Sequence, residues 1–146
     1  MNGSLSSEDT EFSALQASEF AKRIRQGDLP VVHAPEPLSP GDRCHFVTPI
    51  RFGRRRSDQY GHLLITSGWL KFRGTLDLSL TWSEVADVQL TGREIVVSLE
   101  ESRRLLRFSC HSEAEAGRGV LIAEHLVQSA RAHTAESPAG FEHAAL

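Results

Sequence analysis

Between Tyr60 and Cys110 the chain is a succession of short runs whose apolar residues recur at every second position, separated by small or polar breaks. Tyr60–Thr66 is a compact apolar run, and Ser67-Gly68 ends it. Trp69–Arg73 alternates: Leu70 and Phe72 share one face and Trp69, Lys71 and Arg73 the other, because successive strand side chains point to opposite sides. After Gly74-Thr75, Leu76, Leu78 and Leu80 oppose Asp77, Ser79 and Thr81, the pattern of a half-buried antiparallel strand. Ser83–Leu90 slips once in its alternation around Asp87, as a bulged strand does. The turn Thr91-Gly92-Arg93 leads into Glu94–Leu99, where Ile95, Val97 and Leu99 share a face. Past the polar turn Glu100–Arg103, Arg104–Cys110 sets Leu106, Phe108 and Cys110 against Leu105, Arg107 and Ser109. Six strands in a row predict a small β-barrel.

A helix follows at once and can plug it. Ser112 with Glu115 three residues later fits a capping box, in which hydroxyl and carboxylate each satisfy a free amide of the first turn. Val120, Ala123, Leu126, Val127 and Ala130 then recur at helical spacing. Gly117 and Gly119 weaken the early turns by up to about 1 kcal/mol each relative to Ala, so close approach to the barrel is their expected use.

Upstream, Ser7 or Asp9 is placed to cap a helix from about Thr10 to Gln26, with acids near its start, Lys22, Arg23 and Arg25 near its end, and Gly27 as its stop. Phe12, Leu15, Phe20 and Ile24 form only a loose stripe along it. Pro30, Pro35, Pro37 and Pro40 forbid a helix over Leu29–Gly41 and suit an extended strap. Arg43–Phe52 is the first strand, with Cys44, Phe46, Thr48, Ile50 and Phe52 on one face and an edge or bulge expected at Pro49, which lacks a ladder donor. The expected divisions are an N-terminal tail and peripheral helix (1–28), a Pro-rich strap (29–42), the barrel domain (43–133) and a disordered tail (134–146). The fold class is α+β, mainly β: seven strands in a partly open barrel or sandwich capped by a C-terminal helix, with an extra N-terminal helix.

The net charge of −3 conceals an asymmetry. Residues 43–133 carry 13 Lys/Arg against 10 Asp/Glu, and the flanks carry 3 against 9, so a mildly basic barrel has acidic arms. Such a balance lacks the strong basic footprint of nucleic-acid binding. No apolar run approaches the roughly 20 residues of a membrane span, and the N-terminus lacks the basic start and apolar core of a signal peptide. A cytoplasmic location is the default, with Cys44 and Cys110 expected as reduced core thiols. Phosphate-binding glycine loops, a nucleophile elbow and an HExxH pair are all missing, so the chain is not expected to be an enzyme. Cys44-His45 and Cys110-His111 are strand neighbours that point to opposite faces, so no metal site and no cofactor are expected.

Three segments carry a family resemblance: Gly61-His62-Leu63-Leu64-Ile65-Thr66, Trp69-Leu70-Lys71-Phe72-Arg73-Gly74 and Leu80-Thr81-Trp82-Ser83-Glu84-Val85-Ala86-Asp87-Val88. With Leu29–Val32 and Pro40–Phe46 ahead of them, residues 29–131 resemble the pleckstrin-homology-like superfold and are similar to its GRAM-type domains and their bacterial relatives. The resemblance implies a non-catalytic adaptor that binds a protein partner, its own copies or an anionic lipid headgroup. It also implies that a lipid site would use the loop between the first two strands, where Arg51, Arg54, Arg55 and Arg56 lie and whose guanidiniums suit phosphate. The second strand lacks the basic pair that phosphoinositide binders carry, and Lys71-Phe72-Arg73 has that spacing one strand later. Two functions follow. A protein-interaction or self-assembly module would use the face of Trp69, Lys71 and Arg73, with the tryptophan as anchor, or an exposed strand edge. A peripheral membrane adaptor would use Arg51 and Arg54–Arg56. The missing second-strand pair and the acidic flanks favour the first.

Overall fold

The computed structural model describes the backbone of residues 7–52 and 59–136, and the side chains of 15–52 and 59–133. Residues 1–6 of the expected N-terminal tail, residues 137–146 of the tail expected to be disordered from 134, and the loop with Arg54–Arg56 lie outside these residues. Seven strands form: β1 (Cys44–Phe52), β2 (Gln59–Thr66), β3 (Trp69–Gly74), β4 (Asp77–Thr81), β5 (Val85–Thr91), β6 (Glu94–Leu99) and β7 (Leu105–Ser109). They are flanked by helices α1 (Ser7–Arg25) and α2 (Glu113–Glu136). The fold class expected from the sequence is the one found.

All neighbouring strands pair antiparallel in the order β4-β3-β2-β1-β7-β6-β5, so β4 and β5 are the two edges of a sheet that does not close. A single 3₁₀ turn, Trp82–Glu84, joins those edges. It holds by its own polar contacts, the Thr81 amide donating to the Glu84 carboxylate at 2.7 Å and the Trp82 indole donating to the Thr66 carbonyl at 3.0 Å. Trp82 is thereby buried at one end of the core. The expected bulge in the fifth strand is present between Val85 and Asp87. That in β1 is not at Pro49 but between Cys44 and Phe46; Pro49 stays in register with His62, on a stretch of β1 that pairs with β2 alone. Leu76 also departs from its expected face. It precedes β4, its carbonyl accepts from the Gly74 amide in the turn, and its side chain is exposed.

The barrel interior is filled by the inward residues of the strands and by one stripe of α2, chiefly Ala116, Val120, Ala123, Leu126 and Val127. A β-carbon on Gly119 would lie 2.8 Å from Ile95 Cδ1 and 2.9 Å from Phe46 Cε2, whereas one on Gly117 would meet Leu90 at an ordinary 3.8 Å. Only Gly119 is needed for the close approach of helix and sheet. At the start of α2 the Glu115 amide donates to Ser112 Oγ at 3.1 Å, but the Glu115 carboxylate accepts from the buried hydroxyl of Thr48 on β1. The expected capping box is therefore half formed, because a buried hydroxyl without a partner costs more than an exposed amide that water can satisfy.

Helix α1 begins at Ser7, so Ser7 and Asp9 lie inside it rather than ahead of it. It ends as expected. Gly27 adopts φ 84°, its amide donating to the Ile24 carbonyl and that of Asp28 to Arg23, the paired closure that favours glycine. Ile24 is 2% exposed and Phe20 packs against the same core, while Leu15 is 66% exposed. The helix is thus docked through its last turns, where it meets α2.

Both cysteines are free and buried. Burial pushes the Cys44 thiol up, and burial together with the charge of Glu115 pushes Cys110 to about 11. The folded Cys110 thiol keeps its proton where the unfolded one, near 9.0, releases it, so its stabilising contribution is complete below 9.0 and is lost as pH climbs toward 11. Urea unfolding midpoints should fall across that window and fall less in Cys110→Ala. A parallel fall in both proteins would contradict this assignment.

Candidate functional site

Two places bring expected site residues together with residues that the sequence did not single out. The first is a groove on the outer side of the sheet where β1 leaves β2 for β7. Arg51 on β1 stands opposite Tyr60 of β2 on one side and Ser109 of β7 on the other, and Ser109 stands opposite Glu94 of β6. The β5–β6 turn is drawn onto the end of β7 by a hydrogen bond from the Cys110 amide to the Arg93 carbonyl, 2.9 Å. Arg93, His111 and Arg51 consequently line one open groove of about 290 Å³, with Tyr60 and Ser109 completing its wall.

Glu94, opposite Ser109 on β6, accepts from Arg107 Nη1 at 3.4 Å and from Ser109 Oγ at 3.3 Å. Tyr60 is 70% exposed, so a large amphipathic ring flanks the cations at the solvent boundary. Arg54, Arg55 and Arg56 lie between β1 and β2 in the sequence, outside the described residues. Arg93 and His111 were missed at the sequence level. Nothing local marks them, since each stands in a turn or strand end and joins Arg51 only through the β1–β7 and β6–β7 pairings.

The second place is the outer face of β3, where Trp69, Lys71 and Arg73 share a side as the alternation predicts. That face is covered by the strap. Glu36, between Pro35 and Pro37, accepts from Arg73 Nε at 2.8 Å and from Lys71 Nζ at 3.3 Å, with Arg73 Nη2 at 3.4 Å completing a fork. Arg73 Nη1 reaches the Leu78 carbonyl and Ser79 Oγ, both at 3.2 Å, and Lys71 Nζ lies 5.9 Å from the centre of the Trp69 ring. Lys71 is only 8% exposed and Trp69 is half-buried. Partial burial pushes the Glu36 carboxyl up, but the hydrogen bonds and charges of Arg73 and then Lys71 outweigh it and hold the group below its ordinary value.

The strap is pinned on either side of Glu36. The buried ring of His45 takes Pro30 O at 2.7 Å through Nδ1 and Ser67 Oγ at 2.9 Å through Nε2. The Val32 amide donates to the Cys44 carbonyl at 2.9 Å, and Asp42 Oδ1 accepts from the Gly68 amide at 3.0 Å. Leu64, on the same side of the sheet as Lys71, is accordingly at zero exposure. The unbroken apolar run Leu63-Leu64-Ile65 was the sequence signal that β2 is buried on both faces.

The chain matches no family model and no curated protein. Solved structures do resemble it. The linker-DH/PH domains of p115-RhoGEF, in an N-terminally truncated form, align with 80% of this chain at TM-score 0.52 and 12% identity, and a mutant of the DH/PH domains aligns over the same share at 0.52 and 11%. This chain spans less than half of those proteins, 42% and 43% of their lengths. The C-terminal domain of an unknown protein from Leishmania infantum is 18% identical over 59% of this chain and 86% of its own, at TM-score 0.49. At such identities the likeness concerns the fold alone, and with the seven-stranded antiparallel sheet and its C-terminal helix it establishes that the fold is pleckstrin-homology-like.

Proposed function

We propose that this chain is a non-catalytic binding module of the GRAM type or its bacterial relatives, taking an anionic lipid headgroup in the Arg51–Arg93–His111 groove at the membrane periphery. The single observation that carries this is the convergence of those three side chains on one groove. Guanidiniums in a partly desolvated concavity suit phosphate oxygens, which they can meet with two parallel hydrogen bonds each. The exposed ring of Tyr60 would sit at the boundary of headgroups and water. The GRAM-type assignment draws its support from the residue progression of Gly61–Thr66, Trp69–Gly74 and Leu80–Val88. The competing reading, a protein-interaction or self-assembly surface at Trp69, Lys71 and Arg73, meets a face on which the chain's own Glu36 already lies.

Sedimentation with vesicles tests the proposal. Binding to vesicles that contain phosphatidylserine or phosphoinositides, and not to phosphatidylcholine alone, is expected at low salt and should weaken steeply as salt rises. Arg51→Ala together with Arg93→Ala should reduce the partition coefficient by about tenfold or more. Equal binding to neutral vesicles, or binding indifferent to the double substitution, would refute the site.

A further inference from the structure

We propose that the outer face of β3 is a receptor for an acidic side chain carried on a proline-flanked bend of a partner protein, and that Glu36 of the strap occupies it in cis. The chemistry of the face is legible from its present occupant. Arg73 presents Nε and Nη2 as a fork to the two oxygens of one carboxylate, and its remaining nitrogen is steered by Leu78 O and Ser79 Oγ. Lys71 supplies the second cation from below, its stem almost wholly buried and its ammonium beside the Trp69 ring. Two cations so placed select one carboxylate on an incoming chain.

The occupant's backbone is equally informative. Pro35 and Pro37 flank Glu36 at a bend that belongs to no helix or strand, and their rings restrict the backbone on either side of it, so less conformational entropy is lost when such a segment docks. The Glu36 carboxylate is the polar anchor at the middle of the strap, between the Val32 bond to Cys44 and the Asp42 bond to Gly68. Removing its charge leaves Lys71, nine-tenths buried, without an ion-pair partner among the described residues, a state that recruits an acidic segment of the same shape. A tether of this length keeps the cis occupant at a high effective concentration, so a partner engages the intact protein only by displacing the strap. This surface is separate from the Arg51 groove and does not depend on it.

The experiment uses the full chain, as wild type and as Glu36→Gln, with a synthetic peptide of residues 31–41 and its version carrying Gln at position 36, followed through the indole signal of Trp69. The Glu peptide should bind the E36Q protein about tenfold more tightly than it binds the wild type, whose strap competes. The Gln peptide should bind E36Q about tenfold more weakly than the Glu peptide, and high salt should erase the difference. In the wild type the Glu peptide should still produce a saturable indole shift at higher concentration, so the test survives if E36Q does not fold. Equal binding of the two peptides, or no saturable shift in any folded protein, overturns the proposal. A concentration-dependent rise to two chains in solution, abolished by Glu36→Gln, would assign the receptor to the strap of a second copy and overturn the assignment to a partner protein.

Discussion

Phe108→Ala should lower the unfolding free energy by about 3–5 kcal/mol, the range for truncating a fully buried phenylalanine. Phe108 is wholly buried and packs against Phe52 at a centroid distance of 4.8 Å and Phe72 at 6.4 Å; Phe52 and Phe72 are 5.2 Å apart. These three rings come from β7, β1 and β3, and they lie where the sheet turns its corner. Among the described residues the register of β1 with β7 comprises Arg51 opposite Ser109 and Phe52 opposite Phe108. Ring packing supplies much of what holds β1 to β7 there. Neighbouring side chains cannot collapse into the space of a whole ring when they are themselves held on three different strands, so the cavity term adds to the lost transfer energy. Urea unfolding followed by tryptophan fluorescence measures the loss, and Phe108→Leu, which retains most of the volume, should cost less than half as much. A loss below about 1 kcal/mol for alanine would show that the corner is not held by the rings. Because Arg51 is next to Phe52 in this pairing, the alanine variant should also weaken anionic-vesicle binding, through displacement of β1.

Gly61→Ala should be nearly as damaging although it adds a single methyl group. Gly61 of β2 stands opposite Gly74 of β3, and a β-carbon there would lie 2.1 Å from the Arg73 carbonyl oxygen and 2.9 Å from Gly74 Cα. Both obstacles are backbone, which no rotamer change can move aside. The two strands must part at this end, and the expected cost is about 3 kcal/mol, at the upper end of the range for overpacking. The damage extends to the strap, since Arg73 is the residue whose fork holds Glu36. Gly68→Ala is the matched control: its β-carbon would meet only Asp42 Oδ1, at an ordinary 3.7 Å, and its effect should stay within about 1 kcal/mol. Thermal or urea unfolding of the pair decides the matter, and similar stabilities for the two variants would rule out the backbone clash as the cause.

The candidate sites were legible only in part. Arg51 was singled out for its place beside the first inter-strand loop, and it does line a groove, but in company with Arg93 and His111, which are 42 and 60 residues away in the chain. Trp69, Lys71 and Arg73 were placed on one outward face by alternation, and they share it. What alternation could not supply was the identity of the group lying on that face. Glu36 stood as one acid of an acidic arm, with no local pattern linking it to a strand 35 residues downstream. The Ser112–Glu115 spacing misled for a related reason: the motif was correct for an isolated helix, and Thr48 of β1 claimed the carboxylate instead.

Strand number, strand limits to within a residue or two, the stop of α1 at Gly27 and the amphipathic course of α2 were determined by the sequence alone. They rest on periods of 2 and 3.6 residues and on breakers that act over a few positions, so neighbours along the chain suffice to specify them. The partners of the charged and polar side chains were decided by the tertiary structure. Which carboxylate neutralises a nearly buried lysine, which hydroxyl reaches Glu115 and which cations meet in a groove depend on what the packed sheet brings within about 3 Å and strips of water, where an unmet polar group costs more than any local preference can repay.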